Sequence, residues 1–162
     1  AASDVYKRQA CSQDGGGFGA QNGVGANKLK VVATTTMITD LVRQVGGDLV
    51  YAQGLMGGGV DPHGYTAKPS DADKLKTADV IFFNGLMLEG KIEDMLAGMK
   101  KNKEHIYAVT DKVPREKLLK PEEVKGHYDP HLWFDPSLWV YCLEVVVEGC
   151  LRQMRLIRLS TR

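Results

Sequence analysis

Between Lys28 and Gly149 the chain alternates short β-rich runs with stretches of helical period, and this alternation restricts the fold more than any other feature. Leu29–Ala33 (LKVVA) reads as a strand. Met37–Gly46 follows as a helix with Ile38, Leu41, Val42 and Val45 on one face, ended by Gly46-Gly47. Leu49–Leu55 predicts a second strand, broken by the loop Gly57-Gly58-Gly59-Val60-Asp61-Pro62-His63. Ser70 is expected to cap a short helix, with Asp73 as its capping-box partner. Val80–Phe83 (VIFF) is a continuous apolar run, the pattern of a strand buried on both faces. Glu89–Lys100 predicts a helix and Ile106–Val109 a fourth strand. After a loop holding Pro114, Pro121 and Pro130, Asp135 and Pro136 supply an N-cap and a first-turn proline for a last helix. Its body, Leu138–Val147, is apolar except for Glu144, so it must be covered. Repeated βα units predict an α/β fold, an open parallel sheet of about four strands flanked by helices. In such sheets ligands bind at the carboxyl ends of the strands. That rule puts the Gly57–His63 loop and the loop around His131 on the functional edge.

Composition narrows the class further. The 162 residues suit one domain with a real core. Lys+Arg 21 against Asp+Glu 20 leaves a formal charge of +1, without the basic excess of a nucleic-acid binder. No apolar run approaches the ~18 residues of a membrane span. The three cysteines form no CxxC pair and no disulfide framework. Cys142 and Cys150 fall in an apolar stretch and are expected to be buried thiols.

The ends differ from the middle. Residues 1–9 (AASDVYKRQ) resemble an expression or sequencing scar, and 12–27 (SQDGGGFGAQNGVGAN) read as a flexible Gly-rich tether, so 1–27 are expected to be disordered. Cys11, preceded by Ala10 and followed by that tether, is a candidate for lipid attachment, the alternative being a free thiol. Residues 28–150 form the expected lobe. Residues 151–162 (LRQMRLIRLSTR) carry four arginines and no acid. They either continue the last helix with a basic face, are out-of-frame sequence, or form a functional basic patch.

Two of the four histidines occur in the same tripeptide, Asp61-Pro62-His63 and Asp129-Pro130-His131. Proline fixes its own φ and pushes the preceding aspartate to extended geometry, so each histidine sits on a stiff, non-helical backbone. Neutral imidazoles so placed at strand ends suit a borderline-soft metal such as zinc, manganese or iron. Asp61 and Asp129 either orient the rings or cap the next turn. The competing view is two turn-forming Asp-Pro pairs with incidental histidines. His105 and His127 lack this context and are expected to be surface or loop residues. Gly85–Ile92 (GLMLEGKI) nearly fits a phosphate-binding loop, but Ile92 offers no hydroxyl to magnesium and Glu89 would repel phosphate.

Three stretches together, Gly59-Val60-Asp61-Pro62-His63, Asn84-Gly85-Leu86 with Glu89, and Asp129-Pro130-His131-Leu132-Trp133-Phe134-Asp135-Pro136, resemble the TroA-like solute-binding proteins of bacterial ABC importers for zinc, manganese or iron. The resemblance covers about Leu29 to Gly149. It implies the N-terminal lobe of an extracytoplasmic receptor whose two α/β lobes are joined by one long helix, with the metal between them. It also implies that His63 and His131 are metal ligands and that a Glu or His and an Asp come from a second lobe. That second lobe would lie outside these residues, making the sequence a fragment. Gly58, Gly59 and Gly64 depart from the family's usual stiffer loop.

The function so implied is capture of a divalent transition metal as cargo, in the periplasm or on the outer face of the membrane, and delivery to a membrane permease. No catalysis and no organic cofactor are expected, and the complete receptor is expected to be a monomer. Two rivals stand beside it. A zinc hydrolase would use His63 and His131 with Asp61 or Asp129 as ligand or base. A surface adhesin lipoprotein is the other, since the resembled family includes proteins described as adhesins.

Overall fold

In the computed structural model, residues 28–100, 105–122 and 126–160 are described. The tether at 12–27 and the lipidation candidate Cys11 lie outside them. Four strands, β1 (Leu29–Ala33), β2 (Val50–Gly54), β3 (Val80–Phe83) and β4 (Ile106–Ala108), form one sheet in the order β2-β1-β3-β4. All three pairings are parallel, with Val31 opposite Ala52 and Val80, and Ile81 opposite Ile106.

Side-chain alternation divides the core in two. Val31, Ala33, Val80 and Phe82 point to the face covered by α1 (Thr36–Gly46) and α4 (Pro136–Ser160). Val32, Ile81 and Phe83 point to the other face, covered by α2 (Pro69–Thr77) and α3 (Lys91–Lys100). The result is a three-layer α/β lobe, and all four residues of β3 are buried as their unbroken apolar run requires. Each such Val, Ile or Phe contributes about 1.5–3 kcal/mol of burial. On α1, Ile38, Leu41 and Val42 are buried, and Thr35 caps the helix by accepting the Ile38 amide on its hydroxyl.

Several boundaries move. Strand β2 starts at Val50 and ends at Gly54, and β4 stops at Ala108 because Val109 enters a tight turn. The second helix starts at Pro69, so Ser70 lies inside its first turn and is not its cap. The capping carboxylate is Asp71, which takes the Lys68 amide at 2.7 Å and the Tyr65 hydroxyl at 2.6 Å. Residues 84–90 form a loop where a helix from Glu89 was expected, and α3 begins at Lys91. The cause is backbone conformation: Gly85, Leu86, Met87 and Gly90 all have positive φ, which no helix accommodates.

Helix α4 begins as the Asp135-Pro136 pair predicts. Asp135 Oδ1 accepts from the Ser137 amide and hydroxyl at 2.9 and 2.7 Å. The helix runs unbroken to Ser160, through most of the basic stretch after Cys150. Leu138, Cys142, Val145, Val146 and Cys150 are buried, whereas Val140, Leu143 and Leu151 are exposed. Cys142 and Cys150 are free thiols, and burial pushes them up to about 12 and about 11. Lys112 pairs with Glu148, tying the loop after β4 to α4.

Candidate metal centre

Because every strand is parallel, the loops after β2, β3 and β4 leave the same edge of the sheet. The loop after β2 keeps pairing with β1 for two more residues, Leu55 N donating to Ala33 O at 2.8 Å and Met56 N to Thr34 O at 3.0 Å. It then crosses the exposed glycines and turns at Asp61, whose Oδ1 accepts the His63 amide at 3.0 Å. Tyr65 closes the turn: its ring is buried, and its hydroxyl donates to the buried Asp71 carboxylate. Burial first, and Asp71 second, raises the Tyr65 phenol well above its ordinary range. His63 is thus held between two fixed points while its ring remains exposed.

The loop after β4 presents the second tripeptide with the same turn. Asp129 Oδ1 accepts the His131 amide at 3.0 Å and also the ring Nδ1 at 2.6 Å. The two bonds from His131, the amide above all, hold the Asp129 carboxyl below the usual carboxylate range. A carboxylate accepting from Nδ1 fixes the proton there and leaves the Nε2 lone pair outward. The two aspartates therefore differ. Asp61 shapes its turn, and Asp129 both shapes its turn and orients its ring.

The two rings meet. His63 Nε2 lies 3.2 Å from His131 Nε2, with ring centroids 5.3 Å apart and planes inclined at 55°. Two zinc–imidazole bonds of about 2.0–2.1 Å at a tetrahedral angle leave their nitrogens about 3.3 Å apart. The observed separation is close to that spacing, and without an ion it is also the length of a ring-to-ring hydrogen bond. Trp133 stands edge-on to His131, centroids 5.1 Å apart, and limits the ring's rotation. A cavity of about 340 Å³ opens beside the pair, lined by His63, His131, Asp129, Leu86 and Met87.

His127 lines this same cavity. It was expected to be a surface or loop residue, and it is exposed in a loop; its sequence context does not mark its place beside the pair. His105 precedes β4 and sits at the opposite, amino-terminal edge of the sheet. Among the described residues no cluster of three or more His, Cys, Asp or Glu is placed to hold a metal ion. His63 and His131 therefore offer two imidazole nitrogens, fewer than the four ligands a structural zinc usually takes.

The would-be phosphate loop is committed elsewhere. Glu89 is fully buried, and its carboxylate accepts the Asn84 amide at 2.6 Å, the Gly85 amide at 3.3 Å and the Thr34 hydroxyl at 2.6 Å. It fills the place among those amides that a phosphate would need.

A family model described as the periplasmic zinc-uptake complex component A, ZnuA, matches residues 31–153. The manganese-binding lipoprotein MntA of Bacillus subtilis is 40% identical over 142 residues, covering 88% of this chain and 44% of that protein. The zinc-binding protein TroA of Treponema pallidum is 39% identical over 132 residues, covering 82% and 42%. An iron ABC transporter substrate-binding lipoprotein, MtsA of Streptococcus pyogenes, is 34% identical over 136 residues, covering 81% and 42%. The chain thus spans less than half the length of these relatives. Among solved structures, the periplasmic zinc-binding protein TroA from Treponema pallidum superposes with a TM-score of 0.68 at 34% identity, over 82% of this chain and 50% of that one.

Proposed function

Because the chain belongs to the ZnuA family of periplasmic metal-uptake components, we propose that it forms one lobe of an extracytoplasmic receptor. This receptor captures a divalent transition metal as cargo for an ABC import permease. The observation that carries this reading is the 3.2 Å approach of the two Nε2 atoms, with Asp129 orienting one of them. Relatives are named for manganese, zinc and iron, and two imidazoles accept all three. The charged ligands that favour one metal over another would come from a facing lobe, which in this reading lies outside residues 28–160.

Mechanistically the lobe acts by presentation. The turns at Asp61 and Asp129 are hydrogen-bonded without a metal, which lowers the ordering cost of binding. The Asp129 carboxylate makes His131 a stronger donor by taking its Nδ1 proton. With only part of the shell on this lobe, moving the second set of ligands away returns the ion to a weak site and frees it for delivery. No covalent chemistry is assigned to the protein. A hydrolase would need a third ligand and a general base, and both aspartates are already engaged with their own turns. Cys11 is proposed as the membrane anchor, in keeping with the lipoprotein relatives.

Competition of the purified chain against a chromophoric chelator tests the reading. Binding of one zinc ion with an affinity on the order of micromolar is expected, since two neutral nitrogens leave the dication most of its water. His63→Ala and His131→Ala should abolish it, and His105→Ala should leave it unchanged. Equal losses in all three would remove the site.

A further inference from the structure

The loops carrying His63 and His131 come from β2 and β4, the two outer strands of the sheet. No strand pairing links those strands, so something else must set the distance between their loops. The segment between them is 84–90, which follows the inner strand β3.

Asn84 and Glu89, both fully buried, organise this segment. Asn84 Nδ2 donates to Pro130 O, the carbonyl directly before His131, and to Gly85 O, each at 3.0 Å. Asn84 O accepts the Thr110 hydroxyl at 2.7 Å and the Thr110 amide at 3.3 Å. Asn84 Oδ1, by contrast, is buried without a partner. An orphaned buried oxygen is costly, and the two bonds made by Nδ2 offset that cost. Glu89 joins the ends of β1 and β3 by accepting from Thr34 and from the Asn84 and Gly85 amides. That is the point where chain direction across the sheet reverses, the usual ligand crevice of such folds. At its far end the segment touches the first histidine loop. Gly90, with φ +49°, passes so close that an added Cβ would lie 2.9 Å from His63 O.

The geometry points to residues 84–90 as a brace that sets the separation of the two histidine loops, with Asn84 and Glu89 as positioning residues for the metal and Gly90 as the fitted contact. One end grips the peptide before His131, the other rests on the peptide after His63, and the buried carboxylate fixes the span between them. This inference rests on the metal-binding reading above.

Asn84→Asp tests one end, because it sets a carboxylate oxygen against Pro130 O. Gly90→Ala tests the other, where an added Cβ meets His63 O and also strains the backbone at φ +49°, so its metal-free stability is read beside its affinity. Zinc affinity is measured by chelator competition, the cobalt(II)-substituted visible spectrum reports ligand geometry, and metal-free thermal unfolding reports stability. Val146→Ala, buried in α4 ten residues past its start, serves as a structural control. We expect each brace variant to lose about tenfold or more in zinc affinity and to shift the cobalt bands. Val146→Ala should lose stability with unchanged affinity and spectrum. Gly90→Ala retaining wild-type affinity and spectrum would overturn the brace, as would Val146→Ala losing affinity in proportion to stability. In either case loss of binding in His63→Ala would leave the metal site itself standing. Binding unaffected by His63→Ala would overturn both.

Discussion

His63 and His131 present their Nε2 atoms to each other at 3.2 Å although 68 positions separate them in the chain. Their loops start on opposite edges of the sheet, on β2 and β4, and two strands lie between. Three inter-strand spacings are about 14 Å, so each loop must arch inward over the crevice between β1 and β3. Parallel pairing puts both loops at the carboxyl end of the sheet, and the buried Glu89 network fills the ground beneath them. The site is a product of topology before it is a product of side-chain choice.

Glu89 makes the stability of the lobe depend on pH. Burial lifts its carboxyl from 4.5 to about 7, against the lowering effect of the Thr34 hydroxyl and the Asn84 amide. The folded state therefore holds a proton that the unfolded chain has released. This stabilisation is complete below about pH 4.5 and is lost as pH rises through about 7, at most roughly 3 kcal/mol. Glu89→Gln carries no such proton. Denaturant unfolding of both proteins from pH 4.5 to 8 should show the variant gaining on the wild type as pH rises. A constant difference would contradict the shift.

Leu86 and Met87 occupy the left-handed region with φ 58° and 66°, a conformation that favours glycine. Met87 is 47% exposed, so its side chain contributes little packing. Met87→Gly is expected to stabilise the metal-free chain by about 1 kcal/mol, by removing the strain of a side chain at positive φ. Urea unfolding measures it. A loss of stability would mean that the Met87 side chain holds the loop.

Two helical glycines should respond oppositely to alanine. A Cβ on Gly149 would lie 2.8 Å from Phe82 Cε1 and Cζ, where α4 packs on β3, whereas one on Gly98 in α3 meets nothing within 4 Å. Gly149→Ala is expected to cost about 1–2 kcal/mol despite better helix propensity. Gly98→Ala should gain about 0.5–1 kcal/mol. Thermal unfolding of the pair checks both signs, and a stabilising Gly149→Ala would show that the α4–sheet contact is loose.

The strands and the two histidine loops were legible because their signals are local: apolar runs of the right length, and proline-stiffened tripeptides at strand ends. The brace was only partly legible. Asn84, Gly85, Leu86 and Glu89 stood out through the family resemblance, but a glutamate before a helical run reads as the helix's first turn. Its burial depends on Thr34, fifty-five positions away. Leu86 and Met87 give no local sign of positive φ, whereas the cap at Asp71 is local: it takes the Lys68 amide three residues back, and Ser70 with Asp73 offers the same spacing two residues later. His127 is the exposed loop residue expected, and only the path of the loop after β4 brings it to the cavity wall. The Thr34–Glu89 bond is a contact across the fold that no short window of sequence contains.

The central claim is that His63 and His131 bind one ion together through Nε2. Nitrogen-15 NMR of the histidine rings during a zinc titration of the purified chain measures this directly. The account predicts that the Nε2 resonances of both residues move together and saturate at one equivalent. His131 should keep its Nδ1 proton throughout, because Asp129 holds it, and the His105 ring should not respond. Zinc that binds while either Nε2 stays unchanged would contradict the account.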